Sequence, residues 1–402
     1  MTSSTVVLGA GIIGASTAYY LGQHQTPSSI HIVDPSPELF ESASGYAGGF
    51  LARDWFSSQT SGLGALSFDE HRKLAEAEDG GQKWGYMRST PISFSPGTMK
   101  GQTVVAAGRA EAASRTGGNG VAPPWLYQGD GGRAEAIGEE GTVAQVDPLQ
   151  LSRFLLQKCL ESGVKLHHPA KATSVMTDTR NEISSVRIMD TRSGTESDIP
   201  CTNIVITAGA WSPQVFAALF PRSQLKLPIS SLAGHSLVIQ SPRWTAGYEA
   251  QAGCHAVFVS GGSGYSPEIF SRAGGHIYIA GLNSATEPLP LLATDSRSGI
   301  SKSAIAQLRA TACEILGRGQ IEIVREGLCF RPTTSSGSPI IGRIPDTRLG
   351  EGVTTRPGAD GGVYLAAGHG PWGISLSLGT GRVLAEMIQG RKLSADISML
   401  GL

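Results

Sequence analysis

The chain has 402 residues, 32 of them basic and 33 acidic, for a formal net charge of −1. That balance offers nothing to attract a nucleic-acid backbone or an anionic membrane surface, and no run approaches the roughly 18 apolar residues of a membrane span. Cys159, Cys201, Cys254, Cys313 and Cys329 are scattered, odd in number and free of C-x-x-C spacing, so neither a disulfide framework nor a metal site is expected.

No secretory leader is expected either, because the first apolar stretch is already strand and helix without a basic flank. The Ser398–Leu402 end is not a peroxisomal address, and cytoplasm is the default compartment. Length allows two domains, and 53 glycines suit a loop-rich α/β protein with close backbone approaches to a ligand.

Val6–Leu8 reads as a short buried strand. It runs into Gly9-Ala10-Gly11-Ile12-Ile13-Gly14, then a helix to Leu21, then an apolar strand Ile30–Val33 ending on Asp34. This is the order a dinucleotide requires. Gly9 makes the tight turn, Gly11 admits a pyrophosphate to the backbone, and Gly14 lets helix and strand pack. The helix N-terminus supplies N–H groups and positive dipole. Asp34 stands where an acid accepts from ribose hydroxyls. The glycines alone do not separate FAD from NAD. In the following loop, Ser44, Gly45, Gly48 and Gly49 are small enough for backbone N–H groups to wrap a phosphate or a flat ring. Arg53, Asp54 and Trp55 follow at the expected rim.

Ser67–Ala77 is expected to be helical, with Ser67 and Glu70 at capping-box spacing, and Trp84–Phe94 to be strand-like. Residues 95–141 have little apolar periodicity and read as an excursion across a second unit. Leu151–Ser162 is an amphipathic helix, and short strands follow at Val164–Leu166 and Ser184–Met189. A strand Asn203–Thr207 opening onto Ala208-Gly209-Ala210-Trp211 returns the chain to the nucleotide unit. Leu227–Gln240 alternates as a long strand, in which His235 reads as structural. Ile269–Leu282 reads as a hairpin and Ser301–Leu316 as a helix. Near the end, Cys329-Phe330-Arg331-Pro332 precedes a buried strand, Tyr364–Ala367. That strand meets the turn Gly368-His369-Gly370-Pro371-Trp372-Gly373-Ile374 and a helix running to about Ile388.

Taken in order, these motifs resemble the FAD-dependent D-amino-acid oxidase superfamily, including glycine oxidase, sarcosine oxidase, fructosyl-amine oxidases and D-amino-acid dehydrogenase. The resemblance covers the fingerprint through Asp34, the Ser44–Gly49 loop, the A-G-A-W return and the region from Cys329 to Arg382. It implies an α/β fold: a doubly wound FAD domain from 1–85, 142–225 and 317–402, and a mostly antiparallel substrate domain from 86–141 and 226–316. It also implies FAD, contacted by the fingerprint and loop residues above, by Ala208, Gly209 and Trp211, and by Gly368, His369, Gly370, Trp372, Gly373 and Ile374.

Two residues carry alternatives. Arg331 matches the arginine that faces the substrate carboxylate in glycine and D-amino-acid oxidases, against an ordinary ion pair such as one with Glu326. Cys329 stands where sarcosine and fructosyl-amine oxidases attach the flavin covalently, against a buried inert thiol. His369 borders the flavin and is grouped with Arg331 as catalytic, without being cast as a proton acceptor. The implied reaction is oxidation of a C–N bond in an amine or amino acid by hydride transfer to flavin N5, with dioxygen as acceptor and hydrogen peroxide as product. Gly281–Pro288 lacks the lysine that sarcosine oxidase presents to oxygen, which keeps open a dehydrogenase feeding a quinone or protein. A non-catalytic flavin scaffold is the third alternative. The partner is a small-molecule amine or amino acid, and a monomer is plausible.

Overall fold

The computed structural model describes residues 4–96, 122–129, 131–260, 265–317 and 321–402. Most of the 95–141 excursion lies outside them. Thr5–Leu8 is buried at all four positions, as its unbroken apolar run requires of a strand covered on both faces. It sits inside a six-stranded sheet whose neighbours, in order, are Ile340–Ile344, Gly362–Ala367, Asn203–Ile206, Thr5–Leu8, Ile30–Val33 and Lys165–His167. Every neighbouring pair is parallel except the first. The Ile12–Leu21 helix crosses over this sheet and packs on Ser377–Ile388 and Pro148–Ser162. The two helices approach so closely that a Cβ on Gly381 would lie 2.6 Å from the Ser16 carbonyl carbon.

The second large sheet begins with Glu322–Thr333 paired to Ser230–Gln240. It continues through His276–Ser284, Glu268–Arg272, Cys254–Val259, Met87–Ser95, Val143–Gln145 and Phe50–Ala52, with Arg133–Ala136 alongside Met87–Ser95. All its pairs are antiparallel except Cys254–Val259 with Met87–Ser95. Helix Lys302–Leu316 lies across this sheet, its N-terminus capped by Ser301 Oγ accepting from Ala304 N at 3.3 Å. The chain is thus a doubly wound α/β sheet joined to a mostly antiparallel one. We propose the division into two units at the boundaries given above. Phe50–Ala52, Val143–Gln145 and Glu322–Thr333 pair in the second sheet and so tie the units together.

Several elements differ from the sequence reading. Helix Ser61–Glu78 begins a turn and a half before Ser67, so Ser67 caps nothing there. Trp84 ends a short helix, and its strand begins at Met87. The long strand starts at Ser230 rather than Leu227. The turn after Ala367 is a separate 3-10 turn, Gly370–Trp372, and the α-helix begins only at Ser377. Ile183–Asp190 is the middle of a three-stranded antiparallel sheet with Ala170–Thr177 and Glu196–Pro200. Those two partners escaped notice because one is mostly half-exposed and the other exposes four of its five residues. Among the described residues no helix is long and apolar enough to cross a membrane.

Candidate functional site

A cavity of about 350 Å³ runs along the C-terminal ends of the parallel strands, bounded by Leu8, Val33 and Thr207 on one side and the His369–Ile374 turn on another. Open α/β sheets bind ligands at this edge. The glycine turn is shaped for it. Gly9 has φ +109°, and a Cβ on Gly14 would sit 2.0 Å from Gly9 O. Thr207 Oγ1 donates to both Leu8 O and Gly9 O at 3.1 Å.

Asp34 accepts from Ala10 N at 2.9 Å and from Ser36 N at 3.0 Å. These bonds use half of its lone pairs and leave the rest for ribose hydroxyls. Burial pushes its carboxyl pKa up, against the pull of both backbone bonds. Ser44 Oγ accepts from Ile12 N at 2.9 Å, and a Cβ on Gly11 would meet that hydroxyl at 3.1 Å. The helix start and the small-residue loop therefore form one cradle, which a side chain at Gly11 would fill. The residues present fit FAD at this site.

The second glycine turn is stitched down by His71 and Ser375, which the sequence did not single out, and by Ser67, which it marked only as a helix cap. His71 Nε2 pairs with Ile374 O at 3.0 Å, Ser375 Oγ accepts from Ala52 N at 3.0 Å, and Ser67 Oγ accepts from Gly379 N at 3.0 Å. His369 lines the cavity, is 2 % exposed, and its Nε2 contacts Thr380 Oγ1 at 3.1 Å. Burial pushes the pKa of His71 and of His369 down to about 4. Both rings are neutral near pH 7, and His369 is built to hold the turn.

A stability prediction follows from these two rings. Unfolded, a histidine takes up its proton near pH 6.5; folded, these two resist until about pH 4. Stability is complete above the unfolded value and is lost as pH falls toward the folded one, by up to about 3 kcal/mol per histidine. Urea midpoints measured between about pH 7 and pH 4 should fall steadily; a flat series would contradict buried, neutral rings.

On the facing wall, Cys329 and Arg331 are two residues apart on one strand and both line the cavity, as does Tyr278. Arg331 Nη1 donates to Asn283 Oδ1. Space for its guanidinium exists because residue 234 is glycine: a Cβ there would lie 2.7 Å from Nη1. Glu326, the alternative partner considered for Arg331, pairs with Arg309 at 3.5 Å instead. Cys329 is 1 % exposed, and burial raises its pKa while Arg331 and Arg325 pull it down. Cys159, Cys201 and Cys254 are pushed up to about 12 by burial.

Of the expected cofactor contacts, all but Gly14, Gly45, Gly368 and Trp372 line the cavity. The structure packs these four against other parts of the chain. A Cβ on Gly45 would meet Phe40 O at 2.1 Å and one on Gly368 would meet Thr334 Cγ2 at 2.5 Å, while Trp372 packs on Phe56 with ring centroids 4.7 Å apart. Arg53, Asp54 and Trp55 are absent from the wall. Arg53 bonds Asp69 at 3.3 Å, and Trp55 is in the core beside Phe50. His235 is structural as expected, its Nε2 accepting from Ser301 N at 3.0 Å. Tyr278, Glu268 and Ala170–Ala172 also line the cavity; only the folding of the sheets brings them there, and no local motif marks them.

A family model described as FAD dependent oxidoreductase, DAO, matches residues 4–387. The chain belongs to the DAO family of FAD-dependent oxidoreductases. It is 30 % identical over 414 residues to the Schizosaccharomyces pombe oxidoreductase-family protein C1F5.03c, covering 98 % of this chain and 96 % of that one. The crystal structure of glycine oxidase from Geobacillus kaustophilus superposes with a TM-score of 0.70 at 20 % identity, over 100 % of this chain and 98 % of that one. L-proline dehydrogenase from P. horikoshii gives 0.71 at 15 % identity, over 100 % and 96 %. At those identities the two structures establish the DAO fold alone.

Proposed function

We propose that this DAO-family chain oxidises a C–N bond in a small amine that carries a carboxylate, an amino acid or an N-substituted one. The observation that carries this reading is Arg331 on the wall facing the second glycine turn, its guanidinium bonded to Asn283 and Tyr278 at the cavity, with the Glu268 carboxylate acting on it from the same wall. A guanidinium fork holds a carboxylate through paired, charge-assisted hydrogen bonds. Tyr278, hydrogen-bonded to this guanidinium, lines the same cavity and helps to orient the fork.

When bound, FAD supplies the hydride acceptor at N5. The protein's part is to fix the substrate by its carboxylate, to keep the reacting carbon over the ring, and to exclude water. With His369 neutral and engaged by Thr380, the chemistry needs the substrate amine to bind unprotonated. The resulting imine leaves and is hydrolysed in water, or cyclises. The glycine oxidase and L-proline dehydrogenase structures carry carboxylate-bearing substrates in their names, which agrees with the clamp.

Dioxygen, giving hydrogen peroxide, is the first reading for the electron acceptor. A quinone or protein acceptor is the second. It is favoured by a specific observation: among the described residues the only lysine lining the cavity is Lys171, adjoining Ala170 and Ala172 at the Asp34 end and not beside Arg331. Peroxide formed in air at the rate of substrate turnover supports the first; flavin that stays reduced in air until a quinone is added supports the second.

Cys329 lines the cavity, and its buried position favours the thiol form. Acid precipitation of the yellow protein is expected to release the flavin to the supernatant. Flavin retained in the pellet, and lost from it in Cys329→Ser, would establish a covalent bond instead.

A further inference from the structure

We propose that Arg272, together with Gln145, is a positioning residue that turns the 47–49 backbone so that two consecutive amide N–H groups converge on the cofactor. This rests on the assignment of FAD to the cavity. Arg272 is 3 % exposed and belongs to the second sheet, outside the cavity wall. Its Nη2 donates to Ala47 O at 2.6 Å and to Gly48 O at 2.9 Å, and its Nε to Gly48 O at 3.3 Å. The carboxylate it reaches, Asp147, is 3.9 Å away and already caps a helix by accepting from Gln150 N. Burying a guanidinium against carbonyls is expensive compared with an apolar side chain of similar size.

Gln145 repeats the pattern from the other side. It is fully buried, and its Nε2 donates to Gly48 O at 2.5 Å, while its Oε1 has no partner among the described residues. An orphaned buried oxygen costs about 1–3 kcal/mol. Two costly side chains therefore converge on one carbonyl. A second arginine, Arg325, holds Gly45 O at 3.0 Å from the same sheet.

The consequence comes from peptide geometry. In a planar trans peptide the C=O and the following N–H point in opposite directions. The Ala47 and Gly48 carbonyls face Arg272, so the N–H groups of Gly48 and Gly49 face away from it. Both residues line the cavity, and neither N–H has a protein acceptor among the described residues. Successive N–H groups of this kind form an anion-binding nest. A cofactor that gains negative charge on reduction is held more tightly there in its reduced form.

The test is to measure FAD affinity, reduction potential and apoprotein unfolding in the wild type, Gln145→Leu, Arg272→Met and Arg272→Lys. Arg272→Met is expected to cut the preference for reduced over oxidised FAD at least tenfold, a potential about 30 mV lower for a two-electron couple. Gln145→Leu should lower it in the same direction without loss of apoprotein stability, which keeps the test valid if Arg272→Met does not fold. Arg272→Lys keeps the charge but not the fork and should recover only part of the shift. Wild-type potential in Gln145→Leu and in whichever Arg272 variants fold would overturn the proposal, reducing both residues to a structural brace. A wild-type protein that takes up no FAD would instead overturn the cofactor assignment beneath it.

Discussion

Arg331→Ala is expected to raise KM for carboxylate-bearing amines by roughly 30-fold to several-thousandfold, while the bound flavin keeps its spectrum. Removing one member of a desolvated charge pair costs about 2–5 kcal/mol, and each 1.4 kcal/mol is about tenfold. The cost is large here because the guanidinium is only partly hydrated. It sits in a slot made by Gly234 and is oriented by Asn283. Lysine at 331 should recover little, since a point charge does not reproduce the fork. The decisive control is a substrate lacking the carboxylate: its KM should be indifferent to the substitution. If Arg331→Ala leaves KM unchanged for every acid tested, the clamp is wrong, and Arg331 only props Asn283 and Tyr278.

Gly14→Ala should abolish FAD retention and destabilise the apoprotein by at least about 1–3 kcal/mol, the usual cost of overpacking. The added methyl would fall 2.0 Å from Gly9 O, in the turn that must cradle the pyrophosphate, and 2.8 Å from Thr207 Oγ1, which bonds that turn. Gly9 O is backbone, and the Thr207 hydroxyl is tied to Leu8 O and Gly9 O, so the helix start has to move. Gly62→Ala is the matched control. It is also a helical glycine, but nothing lies within 4 Å of its Cβ position, and the change should stabilise slightly. Equal FAD binding in Gly14→Ala and wild type would show that the turn has slack that the geometry denies.

Much of this site is readable before folding because its parts are local. Gly9 to Asp34 is one strand, turn, helix and strand, and each glycine answers a constraint within that unit. The same holds for the turn after Ala367, where Gly368 at φ +84° and Pro371 punctuate a buried strand. The misses are of another kind. Ser67 looked like a cap because its spacing to Glu70 is a local signal, yet its hydroxyl serves Gly379, 312 residues away. His71, Arg272 and Gln145 carry no motif at all; their partners are backbone carbonyls delivered by distant chain, and a carbonyl has no signature in sequence. Tyr278 and Arg331 reach the same cavity only because the strands Ser230–Gln240, His276–Ser284 and Glu322–Thr333 are joined in one sheet. The edge strands of the small sheet went unseen for a related reason: half-exposed strands lack the apolar alternation that marks the middle one.

The most direct test of the account is anaerobic mixing of the yellow protein with a panel of amino acids, N-alkyl amino acids and simple amines, followed through the flavin's visible band. The account predicts that at least one carboxylate-bearing amine bleaches the band, and that Arg331→Ala does not bleach at the same concentration. A holoprotein that dithionite reduces but no amine in the panel reduces would contradict it, and would leave the fold serving as a flavin-bearing scaffold.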